Sequence, residues 1–172
     1  CAGYYSYKSG HKPNFHGSED FVGQIIHPQE WNDSIDYENK KVAVIGSGAT
    51  AVTLIPEIAK KASHVTMIQR SPTYIASVPS KYKILHLLNY ISPKLGYKVI
   101  RFTNILRQRR IYRRAKRSPE LIKDYLLSLV RKELPDFDIE KHFTPSYNPW
   151  EQRLCLAPDS DFFESIKQKR VS

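Results

Sequence analysis

One junction limits the folds open to this chain more than anything else in it: an apolar run that stops on a glycine turn. Residues 41–45 read KVAVI, and the chain continues GSGATA. A β-branched run without polar alternation suits a strand covered on both faces, as in a parallel sheet. Gly46, Gly48 and Ala51 then spell G-x-G-x-x-A. The first glycine permits a tight turn. The second lets a pyrophosphate approach the backbone, and the small third residue lets helix pack on strand. Residues 49–62 follow with helical spacing, Val52, Ile55 and Ala59 sharing a face. Pro56 is expected to kink that helix or remove one of its hydrogen bonds. Residues 65–69, VTMIQ, give the next strand. Strand, glycine turn, helix, strand is a βαβ unit. It predicts an α/β fold with a Rossmann-like parallel sheet, its two strands adjacent and joined by a right-handed crossover.

The same unit predicts a nucleotide site. Gly46, Ser47, Gly48, Ala49, Thr50 and Ala51 form the turn and the first helical residues. There the free N–H groups and the positive helix end favour phosphate. NAD enzymes usually place an acid at the end of the second strand, to bond the ribose 2′-hydroxyl. This chain has Arg70 and Ser71 instead. A planar guanidinium with a hydroxyl beside it suits a 2′-phosphate, so NADP(H) is expected over NAD(H).

Beyond residue 80 the texture changes. Residues 81–117 are rich in Leu, Ile, Tyr and basic side chains, and predict helical structure broken near Ser92-Pro93 and Gly96. A further helix is expected from Ser118 as N-cap and Pro119 in the first turn, ending before Pro135. Its apolar face reads Leu121, Ile122, Tyr125, Leu126, Leu129 and Val130. These residues form a helical insertion. Much of the net charge of +10 sits at 107–117, RQRRIYRRAKR. A basic nucleic-acid-binding module is one reading of that run; a solvated helix face is the commoner one. Ile84, Leu85, Leu87, Leu88 and Ile91 with flanking Lys admit peripheral membrane contact, against which stands burial on another domain. Two cysteines, Cys1 and Cys155, make no disulfide framework and point to a cytoplasmic, reducing setting. The six His show no metal-ligand spacing, so no metal site is expected.

Two further stretches carry a resemblance. FVGQIIHPQEW places Phe21, Gly23, His27 and Trp31 in F-x-G-x-x-x-H-x-x-x-W, just ahead of the glycine turn. YNPWEQRLCL spans residues 147–156. Together with GSGATA and QRS they resemble the flavin-dependent Baeyer–Villiger monooxygenases. The resemblance covers nearly the whole chain and is weakest over 80–143. It implies that FAD, NADPH and O2 are used to insert one oxygen atom into a ketone or to oxidise a soft sulfur. It implies that the fingerprint lies on the linker between FAD and NADP domains, where His27 helps couple domain movement to catalysis. It implies that Arg153 is the active-site arginine, a permanent cation that holds the flavin peroxide anion. The family often has a Lys beside that arginine that contacts NADP; here Gln152 takes the place. An N- or S-oxygenating flavin monooxygenase is the alternative within the class, though such enzymes tend to carry Tyr or Phe in place of Trp31.

On this reading residues 1–39 are the end of an FAD-domain segment plus the linker, and 40–79 the NADP-binding βαβ unit. Residues 80–143 are the helical insertion, and 144–172 return to the NADP domain. Gly23-Gln-Ile-Ile26 is expected to form a short strand. The sequence lacks a G-x-G-x-x-G FAD fingerprint, so it reads as an internal piece of such an enzyme, inactive by itself, with FAD held mainly by parts outside it.

Overall fold

A computed structural model describes residues 9–81 and 92–172. The aromatic stretch at 1–7 and the apolar cluster from Ile84 to Ile91 lie outside the described residues. The chain divides into two compact units, Cys1–Tyr37 and Glu38–Ser172.

In the second unit β1 (Lys41–Ile45) lies parallel to β2 (His64–Ile68), Val42 opposite Val65 and Val44 opposite Met67. α1 (Ala49–Ile58) connects them and contacts both. The crossover is short because Ala59 caps α1 and a turn through Ser63 leads directly into β2. Pro56 does not end the helix; it is buried and α1 runs on to Ile58. Beyond β2 the ladder continues on its far edge. Val171 pairs in parallel with Val65, and Val65 N–H donates to Arg170 C=O at 2.9 Å. The order is thus Val171, β2, β1, which is the 3-2-1 half of a doubly wound sheet.

A second parallel pair joins β3 (Tyr74–Val78) to β4 (Leu154–Pro158), Ile75 opposite Cys155. Between them in sequence lie α2 (Pro93–Arg117), α3 (Pro119–Glu133) and α4 (Ile139–Phe143); α5 (Asp161–Lys167) follows β4. α1 packs on β4 and α5, and α3 packs on β3, α2 and α4. The side chains closed off from solvent include Val52, Ile55, Val65, Tyr74, Val130, Phe162 and Phe163. Rings stack edge-on through this core, with Phe143 to Phe162 at 6.5 Å and Phe162 to Phe163 at 5.7 Å.

Four local expectations need correction. β1 is not covered on both faces: none of its residues is buried, and Ile45 is 62% exposed. Val42 and Val44 are partly covered while Lys41, Ala43 and Ile45, on the opposite face, are exposed, so the apolar run has cover on one face alone. Residues 23–26 form no strand, and among the described residues of the first unit there is none for them to pair with. The buried stripe of α3 is Ile122, Leu126, Leu127 and Val130, while Leu121 and Tyr125 are each 57% exposed. β3 and α2 meet the helix from a direction rotated away from that pair. Finally, Ser118 begins α3 without a side-chain capping bond. Its backbone N–H already closes α2 by donating to Arg114 C=O at 2.8 Å, so one residue serves two helix ends.

Candidate functional site

The glycine turn starts where the β1–β2 ladder ends. Gly46 N–H donates to Ile68 C=O at 2.8 Å. Gly46 then adopts φ +139°, a conformation costly for any residue with a Cβ, and the space beside it is open. Gly48 is the N-cap of α1, and its C=O accepts from Val52 N–H at 3.1 Å. Ala49 and Thr50 are exposed at the start of the helix, whereas Ala51 is buried against the sheet. The first turn holds no acidic residue. Its unpaired N–H groups and positive dipole end therefore face an open cradle with no competing anion. This is the donor set that a dinucleotide pyrophosphate requires, and the residues fit NADP(H) on that ground.

Ser47 plays a different part from its neighbours. It is buried, and its Oγ donates to Ser71 C=O at 3.2 Å. That bond ties the turn to the end of β2, where Arg70 is exposed. Sequence spacing anticipated the two segments but not the hydroxyl that links them.

Arg153 arrives from more than a hundred residues away. A Cβ placed on Gly48 would stand 3.9 Å from its Cδ, so the arginine stem passes beside Gly48. Its Nε–H donates to Thr73 Oγ1 at 3.4 Å, and Thr73 Oγ1 donates to Ser47 Oγ at 3.1 Å. The backbone is held as well: Tyr147 Oη donates to Arg153 C=O at 2.8 Å, and Tyr74 Oη donates to Tyr147 C=O at 2.7 Å. The two tyrosine rings meet edge-on at 5.5 Å. Burial pushes the Tyr74 phenol up to about 12, with Tyr147 adding to it, so Tyr74 stays a donor. Next in β4, the buried Cys155 thiol points at Ser47 C=O, 3.9 Å away. Burial raises its pKa despite the opposing pull of Arg153. This thiol is a packed, neutral group. Gln152 is exposed beside Arg153.

Thr73, Tyr74, Tyr147 and Cys155 were not expected as site residues. All four stand in the stretches QRSPTY and YNPWEQRLC, but a pattern of residue types gives no sign of which group meets which.

The first unit supplies a local account of the aromatic fingerprint. The Phe21 ring covers Gly23: a Cβ there would stand 2.5 Å from Phe21 Cζ. The His27 imidazole covers Gly10 in the same way, and a Cβ on Gly10 would collide with it. His27 Nδ1 accepts from Gln29 N–H at 3.2 Å, capping the 3-10 turn Pro28–Glu30. Trp31 ends that turn and meets Tyr37 at 5.6 Å. Lys12 pairs with Glu30 at 2.6 Å. Phe21 and His27 thus each seat a ring on a glycine, Phe21 closing the turn Ser18–Asp20 while His27 and Trp31 flank the turn Pro28–Glu30.

Comparison with known proteins bears on the family and the fold. The family model described as flavin-binding monooxygenase-like matches residues 1–108. The FAD-containing monooxygenase EthA of Mycobacterium tuberculosis is 50% identical over 99% of this chain and 36% of its own length. The probable FAD-binding monooxygenase AlmA of Acinetobacter baylyi is 48% identical over all of this chain and 35% of its own length. The chain therefore spans about a third of these relatives. An oxidized steroid monooxygenase bound to NADP superposes with a TM-score of 0.70 at 18% identity, over 95% of this chain and 38% of that one. Cyclohexanone monooxygenase from Rhodococcus sp. Phi1 bound to NADP+ gives 0.66 at 20% identity, over 95% and 38%. The fold is that of these enzymes, and the family match extends over well more than half of the sequence: the chain belongs to the flavin-binding monooxygenase-like family.

Proposed function

We propose that this chain is the NADP(H)-binding part of an FAD-dependent monooxygenase that inserts one atom of O2 into a ketone or oxidises a soft sulfur. The observation that carries the reading is the Arg153 side chain standing beside Gly48 of the glycine turn and tied by Thr73 to Ser47 within it. A nucleotide cradle alone would suit any dehydrogenase. A permanent cation beside it suits a reaction in which negative charge develops beside the bound nicotinamide nucleotide. Relatives named as FAD-containing support the flavin, and structural neighbours bound to NADP support the nucleotide.

In this reading the backbone of residues 46–51 holds the pyrophosphate, and Arg70 with Ser71 takes the 2′-phosphate. Arg153 holds a developing anion without giving up a proton, and Gln152 lies at the nucleotide's edge. His27 transmits domain movement. FAD, when bound, supplies the hydride acceptor and the site of oxygen activation. The charge of α2 by itself gives the nucleic-acid alternative no further support. No helix among the described residues is long and apolar enough to cross a membrane. Contact with a membrane surface would fall to residues 84–91.

The test is Arg153→Ala in the full-length protein, followed by stopped-flow absorbance. Flavin reduction at saturating NADPH is expected to persist, with NADP+ affinity weakened about tenfold, while ketone or sulfide conversion falls on the order of a hundredfold or more. Arg153→Lys should recover little, because a point charge does not replace the fork. Conversion at near wild-type rate in Arg153→Ala would make Arg153 an ordinary structural arginine.

A further inference from the structure

We infer that Thr73 is the positioning residue for Arg153. Thr73 is polar yet only 1% exposed, deep enough that an unpaired hydroxyl would be costly. The polarity of its hydrogen bonds is fixed from both ends. At one end stands Ser71 C=O, which can only accept; at the other stands Arg153 Nε–H, which can only donate. Ser47 Oγ must therefore spend its proton on the carbonyl, at 3.2 Å. It is then left to accept from Thr73 at 3.1 Å. Thr73 Oγ1, its own proton spent, has lone pairs only for the guanidinium, at 3.4 Å. Each hydroxyl has one proton, so reversing the middle link would leave Ser47 Oγ facing the Ser71 carbonyl acceptor to acceptor.

The chain of bonds joins the three segments of the candidate site. It begins at the residue after Arg70, passes through the middle of the G-x-G turn, and ends on the guanidinium beside that turn. It engages only Nε, so among the described residues the terminal nitrogens of Arg153 remain available for a ligand. Thr73 touches neither nucleotide nor substrate in this arrangement. It sets the angle at which the arginine passes the cradle. Serine, which keeps the hydroxyl, should preserve that role; valine, which keeps the shape, should abolish it.

This inference rests on the functional reading of Arg153, and the experiment separates the two. Thr73→Val, Thr73→Ser and Arg153→Ala, with the double variant Thr73→Val/Arg153→Ala, are made in the full-length enzyme. NADP+ affinity is measured by isothermal titration calorimetry, with thermal midpoints to verify folding. Thr73→Val should weaken NADP+ by about five- to tenfold, and Thr73→Ser by less than about twofold. In the Arg153→Ala background Thr73→Val should have almost no further effect, because a residue acting through another loses its influence when the other is gone. Ser47→Ala breaks the middle link without disturbing the buried methyl, and serves if Thr73→Val does not fold; it should show the same loss of effect. Equal weakening in both backgrounds would overturn the inference and leave Thr73 a core residue. So would wild-type affinity in Thr73→Val alongside impaired binding in Arg153→Ala. If Arg153→Ala alone changes neither NADP+ affinity nor oxygenation, the functional reading fails first and takes the inference with it.

Discussion

The glycine turn and α2 use opposite means to present charge. At the turn the charge-presenting groups are few: a helix start without an acid, a glycine at positive φ, Arg70 just past β2 and Arg153 at the foot of β4. α2 carries ten Lys and Arg and no acid over 25 residues. With those ten set aside, 17 basic residues face 17 acidic ones, so the helix accounts for the whole net charge of +10. Yet almost all of α2 is exposed, only Gly96 and Ala115 being buried, and Leu95, Val99 and Phe102 stand in solvent as well. Charge density and site quality are therefore uncoupled in this protein. At the turn one cation, Arg153, is held by a buried hydroxyl, whereas the basic run of α2 is held by none among the described residues.

The largest effect expected from that contrast concerns stability. Phe162 is 1% exposed and packs edge-on against Phe143 and Phe163. Phe162→Ala should destabilise the chain by about 3–5 kcal/mol, from lost burial and the cavity left behind. Urea unfolding would measure it. A loss below about 1 kcal/mol would mean that this ring cluster is not the core of the unit.

Next comes the cation at the cradle against those on the helix. Arg70→Ala should weaken NADPH about tenfold or more and NADH about twofold at most, because only NADPH carries the 2′-phosphate. Arg109→Ala, on the exposed face of α2, should change neither. Equal losses for both nucleotides in Arg70→Ala would exclude the 2′-phosphate role. A loss in Arg109→Ala would restore the basic run as part of the site.

Third is the tyrosine that steadies Arg153 from behind. Below about pH 10, Tyr74 keeps its proton in both folded and unfolded chains, and its contribution does not vary. As pH rises past that value the unfolded chain ionises first, while the buried phenol resists until about 12. Stability should therefore fall across that window, by on the order of 2 kcal/mol from this residue. Tyr74→Phe should remove that slope. It should also cost about 1–2 kcal/mol at neutral pH, because Tyr147 C=O loses its donor. Chemical unfolding at pH 8, 10 and 11.5 would show both. An unchanged slope in the variant would place the alkaline transition elsewhere.

What was legible in the sequence follows from the range of the interactions involved. β1, the turn, α1 and β2 form one contiguous unit, and their signals are local: β-branched runs, glycines at fixed offsets, helical spacing. The end of β2 shifts by a single residue. β3 was missed because YIASV is short and follows a proline, and because its partner β4 lies about eighty residues on. The stripe of α3 was read one edge too far round. A helix wheel shows an apolar arc wide enough for both Leu121 and Leu127, and only the position of the neighbouring elements decides between them. For the candidate site, Gly46, Gly48 and Arg70 are expected from residue type and spacing, and Arg153 from the resemblance alone. The hydroxyls of Ser47 and Thr73 were not legible, because a buried Ser or Thr looks like any other until its partner is known.

The smallest expected effect tests the comparison most directly, because it repeats the first substitution in the other region. Phe102 is the same residue type as Phe162 but is 62% exposed, midway along α2. Phe102→Ala removes little buried area, so the transfer term that dominates at Phe162 nearly vanishes. Alanine is also the better helix former, by up to about half a kcal/mol. The two contributions are small and of opposite sign, and urea unfolding of the chain should register a change within about 0.5 kcal/mol. A destabilisation above about 1.5 kcal/mol would show that the outer face of α2 is packed in solution. The contrast between a built cradle and a solvated basic helix would then have to be redrawn.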